Sequence, residues 1–144
     1  MPHPQTILVV DDDADIRSIV RLLFTMHGYH VVEAADGITA LRCARQIAPD
    51  LIVLDLGLPG QDGWAVAQEL RSDPAFEDTP ILVITAYGDQ AAFRAAWAAG
   101  CQAMVKKPFA IESLAETART LLTRATAGLG SAWHPVGAQF VRSP

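Results

Sequence analysis

The chain has 144 residues, which is the size of a single domain with one sizeable core. Its composition, 51% hydrophobic and 19% charged, excludes a disordered or fibrous protein, and no apolar run is long enough to predict membrane insertion. A net charge of −5 argues against direct nucleic-acid binding. The chain has two cysteines, Cys43 and Cys101, and so small a number indicates free thiols in a reducing cytoplasm.

Short apolar runs alternate along the chain with segments of helical spacing. The runs are rich in Val, Ile and Leu and predict strands at residues 7–10, 30–33, 51–54, 81–84 and 103–105. Helical periodicity follows each one, with the first helix ending near Gly28, the third covering residues 63–71 and the fourth covering 89–99. Continuous apolar strands suit a parallel sheet covered on both faces. The pattern predicts an α/β fold, a doubly wound sheet of five parallel strands with right-handed crossovers.

The last part of the chain lacks this alternation. Residues 125–144 carry Gly, Ala and Pro without clear periodicity and are too few for a second domain. We therefore predict a domain at residues 5–124, followed by a tail or linker at 125–144 and no output domain.

Polar side chains follow four of the predicted strands. The first strand runs into Asp11, Asp12 and Asp13, the third into Asp55, the fourth into Thr85 and the fifth into Lys106 and Lys107. In the strand order 2-1-3-4-5, one of the common doubly wound orders, these four strands are consecutive neighbours and their carboxyl ends meet. Clustered carboxylates require a cation or raised pKa values, and oxygen ligands suit Mg²⁺. An Asp beside Mg²⁺, with Lys and Thr opposite, can attack phosphorus.

Four motifs carry a resemblance to a known family. They are LVVDDD at residues 8–13, VLDLGLPGQDG at 53–63, ITA at 84–86 and KPF at 107–109, in the family's order and spacing. The chain resembles the receiver domains of two-component response regulators, which are flavodoxin-like (βα)5 proteins similar to the chemotaxis regulator. The likeness covers roughly residues 5–124.

The resemblance implies a role for each site residue. Asp55 would be the phosphoacceptor, Thr85 the switch hydroxyl, and Lys107, before a cis Pro108, the phosphate-binding ammonium. Asp12, Asp55 and the carbonyl of Gly57 would ligate Mg²⁺ directly, and Asp11 would act through water. It implies a bacterial signalling protein that is not an enzyme beyond its own phosphorylation and dephosphorylation.

Partners follow from the same resemblance. The phosphodonor would be a histidine kinase or a phosphotransfer protein. The output would be a partner protein, or a homodimer, on the face formed by helix 4, strand 5 and helix 5, where Phe93 and Trp97 are either core or contact residues.

Two other functions remain open at this point. A small phosphatase with an Asp nucleophile would need a substrate cap, for which the chain has no spare length. A pseudo-receiver would bind partners without phosphate, and the intact Asp, Thr and Lys set weighs against it.

Individual residues also have simpler interpretations. Asp13 is expected to cap the first helix, and Lys106 is expected to be a solvated neighbour of Lys107. Met104 replaces the aromatic residue that many receivers have in strand 5, and Gly57 lacks a side chain where one commonly modulates loss of the phosphoryl group.

Overall fold

A computed structural model describes residues 3–58, 63–86, 90–126, 132–136 and 139–143, the last two segments through their backbone. Strands and helices alternate through the first 126 residues as expected, with boundaries close to the predicted ones. The strands are β1 Thr6–Val10, β2 His30–Ala34, β3 Leu51–Asp55, β4 Ile81–Thr85 and β5 Ala103–Lys106. The helices are α1 Ala14–Met26, α2 Gly37–Ile47, α3 Gly63–Ser72, α4 Gln90–Ala98 and α5 Ile111–Thr126.

The five strands are parallel and lie in the order β2-β1-β3-β4-β5, which confirms the predicted topology. Strand residues alternate between two cores, one on each face of the sheet. Leu8 and Leu54 belong to the core under α2 and α3, and Ile7 and Val53 belong to the core under α1 and α5. Because both faces are covered, all five residues of β3 are buried.

The residues at the two ends of α1 account for its boundaries. The Asp13 carboxylate accepts hydrogen bonds from the backbone N–H of Asp15 at 2.9 Å and of Ile16 at 3.3 Å, which confirms its role as the N-cap. The helix ends before Gly28, whose φ of +90° is the left-handed conformation that glycine adopts without strain.

The tail extends the sheet, which its sequence pattern does not predict. Strands β6 Ala132–Val136 and β7 Gln139–Ser143 pair antiparallel with each other, and β7 pairs antiparallel with β5. Ala103 lies opposite Val141, and Met104 lies opposite Phe140. The sheet therefore has seven strands, and β5 is an interior strand. No helix in the described ranges is long and apolar enough to cross a bilayer.

Candidate functional site

The sheet topology brings the polar strand ends together. Parallel pairing joins β1 to β3, β3 to β4 and β4 to β5. Asp11 directly follows β1, Asp55 and Thr85 are the last residues of β3 and β4, and Lys107 directly follows β5. Since the strands all run in one direction, these residues lie at one edge, where ligands of open α/β sheets bind.

Three carboxylates form the centre of the site. One oxygen from each of Asp11, Asp12 and Asp55 lies within 4.8 Å of the other two. Asp11 and Asp55 are buried, with 2% and 6% of their surface exposed, and Asp12 is exposed. An all-oxygen group of this size, open to solvent at Asp12, fits a hard divalent cation such as Mg²⁺ that keeps part of its water.

Lys107 lies between the two buried carboxylates. Its Nζ is 3.3 Å from Oδ2 of Asp11 and 3.3 Å from Oδ1 of Asp55. Burial disfavours the charged ammonium, but attraction by Asp11 and Asp55 and hydrogen bonds to both outweigh it, so the pKa of Lys107 is raised. Lys106 is exposed, and the expected cis bond joins Lys107 to Pro108.

Opposing effects act on the pKa of Asp11. Burial raises its pKa above the ordinary 3.8, and the neighbouring charge of Asp55 acts in the same direction. The hydrogen bond from the Asp13 N–H at 2.9 Å and the ammonium of Lys107 act to lower it, and the net direction is upward. Independently of this shift, three carboxylates surround one ammonium, so a second cation would offset the remaining negative charge.

Thr85 and Gly57 complete the set of predicted site residues. Thr85 is 1% exposed, and its carbonyl accepts a hydrogen bond from the backbone N–H of Lys107 at 2.7 Å, which links β4 to the β5 end of the site. Gly57 lies beside Asp55, because a Cβ built on it would be 3.8 Å from Oδ2. Met104 is fully buried in β5.

Two residues support the site through contacts that were not predicted from the sequence. Arg17 donates from Nη1 to the carbonyl of Asp11 at 2.8 Å and from Nε to Glu33 Oε1 at 3.1 Å, which holds the loop after β1 against β2. Glu33 is a charged residue between the apolar Val32 and Ala34 of β2, and this is the sequence signal that could have indicated the contact.

Gly63 is the second supporting residue. A Cβ at this position would lie 2.7 Å from Cα of Leu56 and 2.8 Å from the carbonyl oxygen of Asp55. No side chain fits that space without moving the backbone of Asp55 and Leu56, so α3 can pack here only through a glycine.

The comparisons with known proteins agree with this geometry. Residues 7–119 match the model of the response regulator receiver domain family. The DNA-binding dual master transcriptional regulator RpaA of Synechocystis sp. is 41% identical over 118 residues, which are 82% of this chain and 49% of that protein. The response regulator MprA of Mycobacterium sp. is 41% identical over 121 residues, covering 84% of this chain and 52% of that protein. The chain spans about half the length of these curated relatives.

Solved structures give the same result. The chemotaxis response regulator CheY4 of Vibrio cholerae superposes with a TM-score of 0.79 at 30% identity, covering 83% of this chain and 99% of that one. The receiver domain of the Francisella response regulator 1452 superposes with a TM-score of 0.79 at 28% identity, covering 83% and 98%. With its five parallel strands and its acidic site at their ends, the chain belongs to the response regulator receiver domain family of two-component signalling.

Proposed function

We propose that this receiver accepts a phosphoryl group on Asp55 in a Mg²⁺-dependent reaction. The observation that carries the proposal is the grouping of Asp55 with Asp11 and Asp12 within 4.8 Å, and with the Lys107 ammonium at 3.3 Å. A carboxylate oxygen of Asp55 attacks phosphorus, the new O–P bond forms as the bond to the donor breaks, and the leaving group departs on the opposite side.

The acidic residues hold the ion. Asp12, Asp55 and the carbonyl of Gly57 would ligate Mg²⁺ directly, and Asp11 would act through a water molecule. When bound, Mg²⁺ offsets the clustered carboxylate charge and lets an anionic donor approach. The shallow, exposed position of Asp12 leaves one side of the site open to the donor.

Lys107 and Thr85 respond to the transferred group. Lys107 exchanges part of its pairing with the carboxylates for the phosphoryl oxygens, to which an ammonium donates strong hydrogen bonds. The Thr85 hydroxyl donates a further hydrogen bond. Since Thr85 ends β4 and its carbonyl is bonded to Lys107, a shift at either residue reaches both β4 and β5.

The donor is a histidine kinase or a phosphotransfer protein. The product is the phosphorylated domain itself, with altered partner binding, rather than a released compound. The output surface is the face formed by α4, β5 and α5, on which α4 and α5 supply the contacts because β7 pairs along the edge of β5. Trp97 of α4 is 46% exposed, which favours a contact role for it, whereas the side chain of Phe93 lies outside the described residues. Trp97→Glu or Arg94→Glu should weaken partner binding by the phosphorylated form, and unchanged affinity in both variants would place the output elsewhere.

Phosphorylation is tested with acetyl phosphate and intact-protein mass spectrometry. The wild-type chain should gain the mass of one phosphoryl group with Mg²⁺ and none with EDTA. Asp55→Asn should stay unmodified, and Asp78→Asn, an exposed carboxylate outside the site, should behave like wild type. Labelling that persists in Asp55→Asn would refute the assignment, and so would labelling that is indifferent to EDTA.

Lysine substitutions test the phosphate-binding role. Lys107→Ala should impair phosphorylation-dependent partner binding at least about tenfold, because it removes a charge-assisted contact at the transferred group. Lys106→Ala is the matched control, since Lys106 is the adjacent exposed lysine. Equal effects of the two substitutions would mean that the ammonium of Lys107 does not bind the phosphoryl group.

The same assays separate the two alternatives. A pseudo-receiver would bind its partner equally with and without phosphate and would show no modification of Asp55. A phosphatase would release phosphate from many substrates with turnover, whereas a receiver holds a single group.

A further inference from the structure

Arg17 of α1 holds the loop that carries two of the three carboxylates of the site. Its Nη1 donates to the carbonyl oxygen of Asp11 at 2.8 Å, and its backbone N–H donates to the carbonyl oxygen of Asp13 at 2.9 Å. Asp12 lies between these two carbonyl groups and is exposed. One residue of α1 therefore fixes the backbone on both sides of Asp12.

The carbonyl that Arg17 binds belongs to the peptide group joining Asp11 to Asp12. Because a peptide group is planar, holding this carbonyl sets the direction in which the chain enters Asp12. The Asp11 carboxylate is also held by the N–H of Asp13, at 2.9 Å. Among the described residues, no hydrogen bond or ion pair holds the carboxylate of Asp12. The position of the Asp12 carboxylate therefore depends on its backbone, and so on Arg17.

Glu33 of β2 anchors the guanidinium. Its Oε1 accepts a hydrogen bond from Nε of Arg17 at 3.1 Å, and the Arg17 side chain is only 20% exposed. Two acceptors bound by one planar guanidinium fix both its place and its orientation. Glu33 also offsets the positive charge of Arg17, which would otherwise oppose a cation at the carboxylates.

We propose that Arg17, anchored by Glu33, is a positioning residue that sets the affinity of the acidic site for Mg²⁺. It orders the loop in advance, so that ion binding does not have to do so. Residues that hold the ligands of a metal typically change its affinity about 10–100-fold. The inference rests on the proposed function, because it concerns the ion that phosphorylation of Asp55 requires.

The direction of the effect distinguishes positioning from charge. Arg17 brings a positive charge close to three carboxylates, so removing that charge alone should strengthen the binding of a cation. Loss of the ordered loop should instead weaken it. Arg17→Met keeps the backbone bond to Asp13 and the apolar stem, and it removes only the two guanidinium contacts.

The first test is a titration of the unphosphorylated chain with MgCl₂, followed by amide chemical shifts in NMR. Arg17→Met should raise the Mg²⁺ dissociation constant about tenfold or more. Arg21→Met is the matched control, because Arg21 is 60% exposed on the same helix and pairs with the same carboxylate of Glu33 at 3.3 Å. In the described part of the chain Arg21 makes no hydrogen bond to the loop, so its removal should leave the constant unchanged or slightly lower.

Urea denaturation separates this role from a purely structural one. Without Mg²⁺ it measures what Arg17→Met costs the fold, and the NMR spectra show whether the variant keeps its structure. With Mg²⁺ the free energy of unfolding rises by RT ln(1 + [Mg²⁺]/Kd), which gives a second value of the constant. A structural role lowers the stability of the metal-free chain without changing Kd, whereas a positioning role changes Kd in the folded protein.

Glu33→Gln tests the anchor, because Gln keeps the shape of Glu33 and removes its charge. It should weaken Mg²⁺ binding in wild type. In Arg17→Met the same substitution should cost less, since no guanidinium remains to be held.

Two results would overturn the inference alone. Arg17→Met could bind Mg²⁺ as well as Arg21→Met does, or more tightly than wild type, which would assign Arg17 a structural or purely electrostatic role. Glu33→Gln could have the same cost with and without the Arg17 guanidinium, which would rule out the anchor. A wild-type chain that binds no Mg²⁺ would instead refute the proposed function, and the inference with it.

Discussion

Arg71 offers a test of the fold that is independent of the carboxylate site around Asp55. At the end of α3 its guanidinium donates to four acceptors, which are the carbonyls of Phe76, Thr79 and Gly100 and Oε1 of Gln102, the last at 2.6 Å. These acceptors precede β4 and β5, at the amino-terminal ends of the strands, whereas Asp55 lies at the carboxyl-terminal ends. One side chain therefore ties α3 to the connections that lead into both strands.

The expected loss in Arg71→Met follows from these contacts. Each hydrogen bond to a charged donor contributes about 1.5–3 kcal/mol, so four would sum to roughly 6–12 kcal/mol if they were independent. They share one side chain that is only partly buried, and water can replace the donor at the carbonyls. Met keeps the packing of the stem against Gly100. We therefore expect about 3 kcal/mol of lost unfolding free energy and a fall in Tm of about 10 °C.

Urea denaturation followed by circular dichroism measures this change, with Arg45→Met as the matched control. Arg45 is 54% exposed and lies 3.9 Å from its only ion-pair partner among the described residues, Asp73, so its removal should cost less than about 0.5 kcal/mol. The folded Arg71→Met protein should still accept a phosphoryl group. A loss below about 1 kcal/mol, or one equal to that of Arg45→Met, would show that water replaces the guanidinium fully and would refute the reasoning.

Three further predictions concern the site and its surroundings. Because burial raises the pKa of Asp11, the folded metal-free protein retains a proton that the unfolded chain releases. The free energy of unfolding should therefore fall as the pH rises from 3.8 through the raised pKa of Asp11. Asp11→Asn should reduce this fall, as measured by urea titrations across that pH window. Gly63→Ala should cost about 2–3 kcal/mol of unfolding free energy, since its Cβ meets a backbone carbon at 2.7 Å, whereas Gly57→Ala, with its nearest contact at 3.8 Å, should be close to neutral; equal costs would contradict the packing argument. Met104→Tyr should increase the ratio of the partner affinities of the phosphorylated and unphosphorylated protein about tenfold, or roughly 1.4 kcal/mol. The reason is that a flexible thioether distinguishes two conformations less sharply than an aromatic ring does. Calorimetry on both forms measures this ratio, and an unchanged ratio would mean that Met104 only fills the core.

The sequence predicts most of the site because its signals are local. Each strand is a short apolar run, and the residue that ends it is read directly from the chain, as for Asp55 and Thr85. Parallel pairing then brings those ends together, so no long-range information is needed beyond the strand order. Asp13 and Lys106 were also assigned correctly, from helix capping and from the alternation of side chains along a strand.

What the sequence does not predict depends on contacts between distant segments. The partners of Arg71 are spread over residues 76–102, and nothing beside Arg71 indicates them. Ile19 and Met26 are apolar residues of α1 that are exposed in the structure, because helical periodicity does not tell how wide a stripe of the helix the sheet covers. The pairing of β7 with β5 likewise rests on a register between segments far apart in the sequence.

The added hairpin changes which strands are open to self-assembly. Without β7, β5 would present a row of unpaired backbone groups next to the apolar residues Ala103, Met104 and Val105, a template on which other chains could add strands. With the hairpin in place, the outermost strand on that side is β6, which contains Pro135. Proline has no N–H to offer an incoming strand, so the sheet ends at a residue that cannot propagate it.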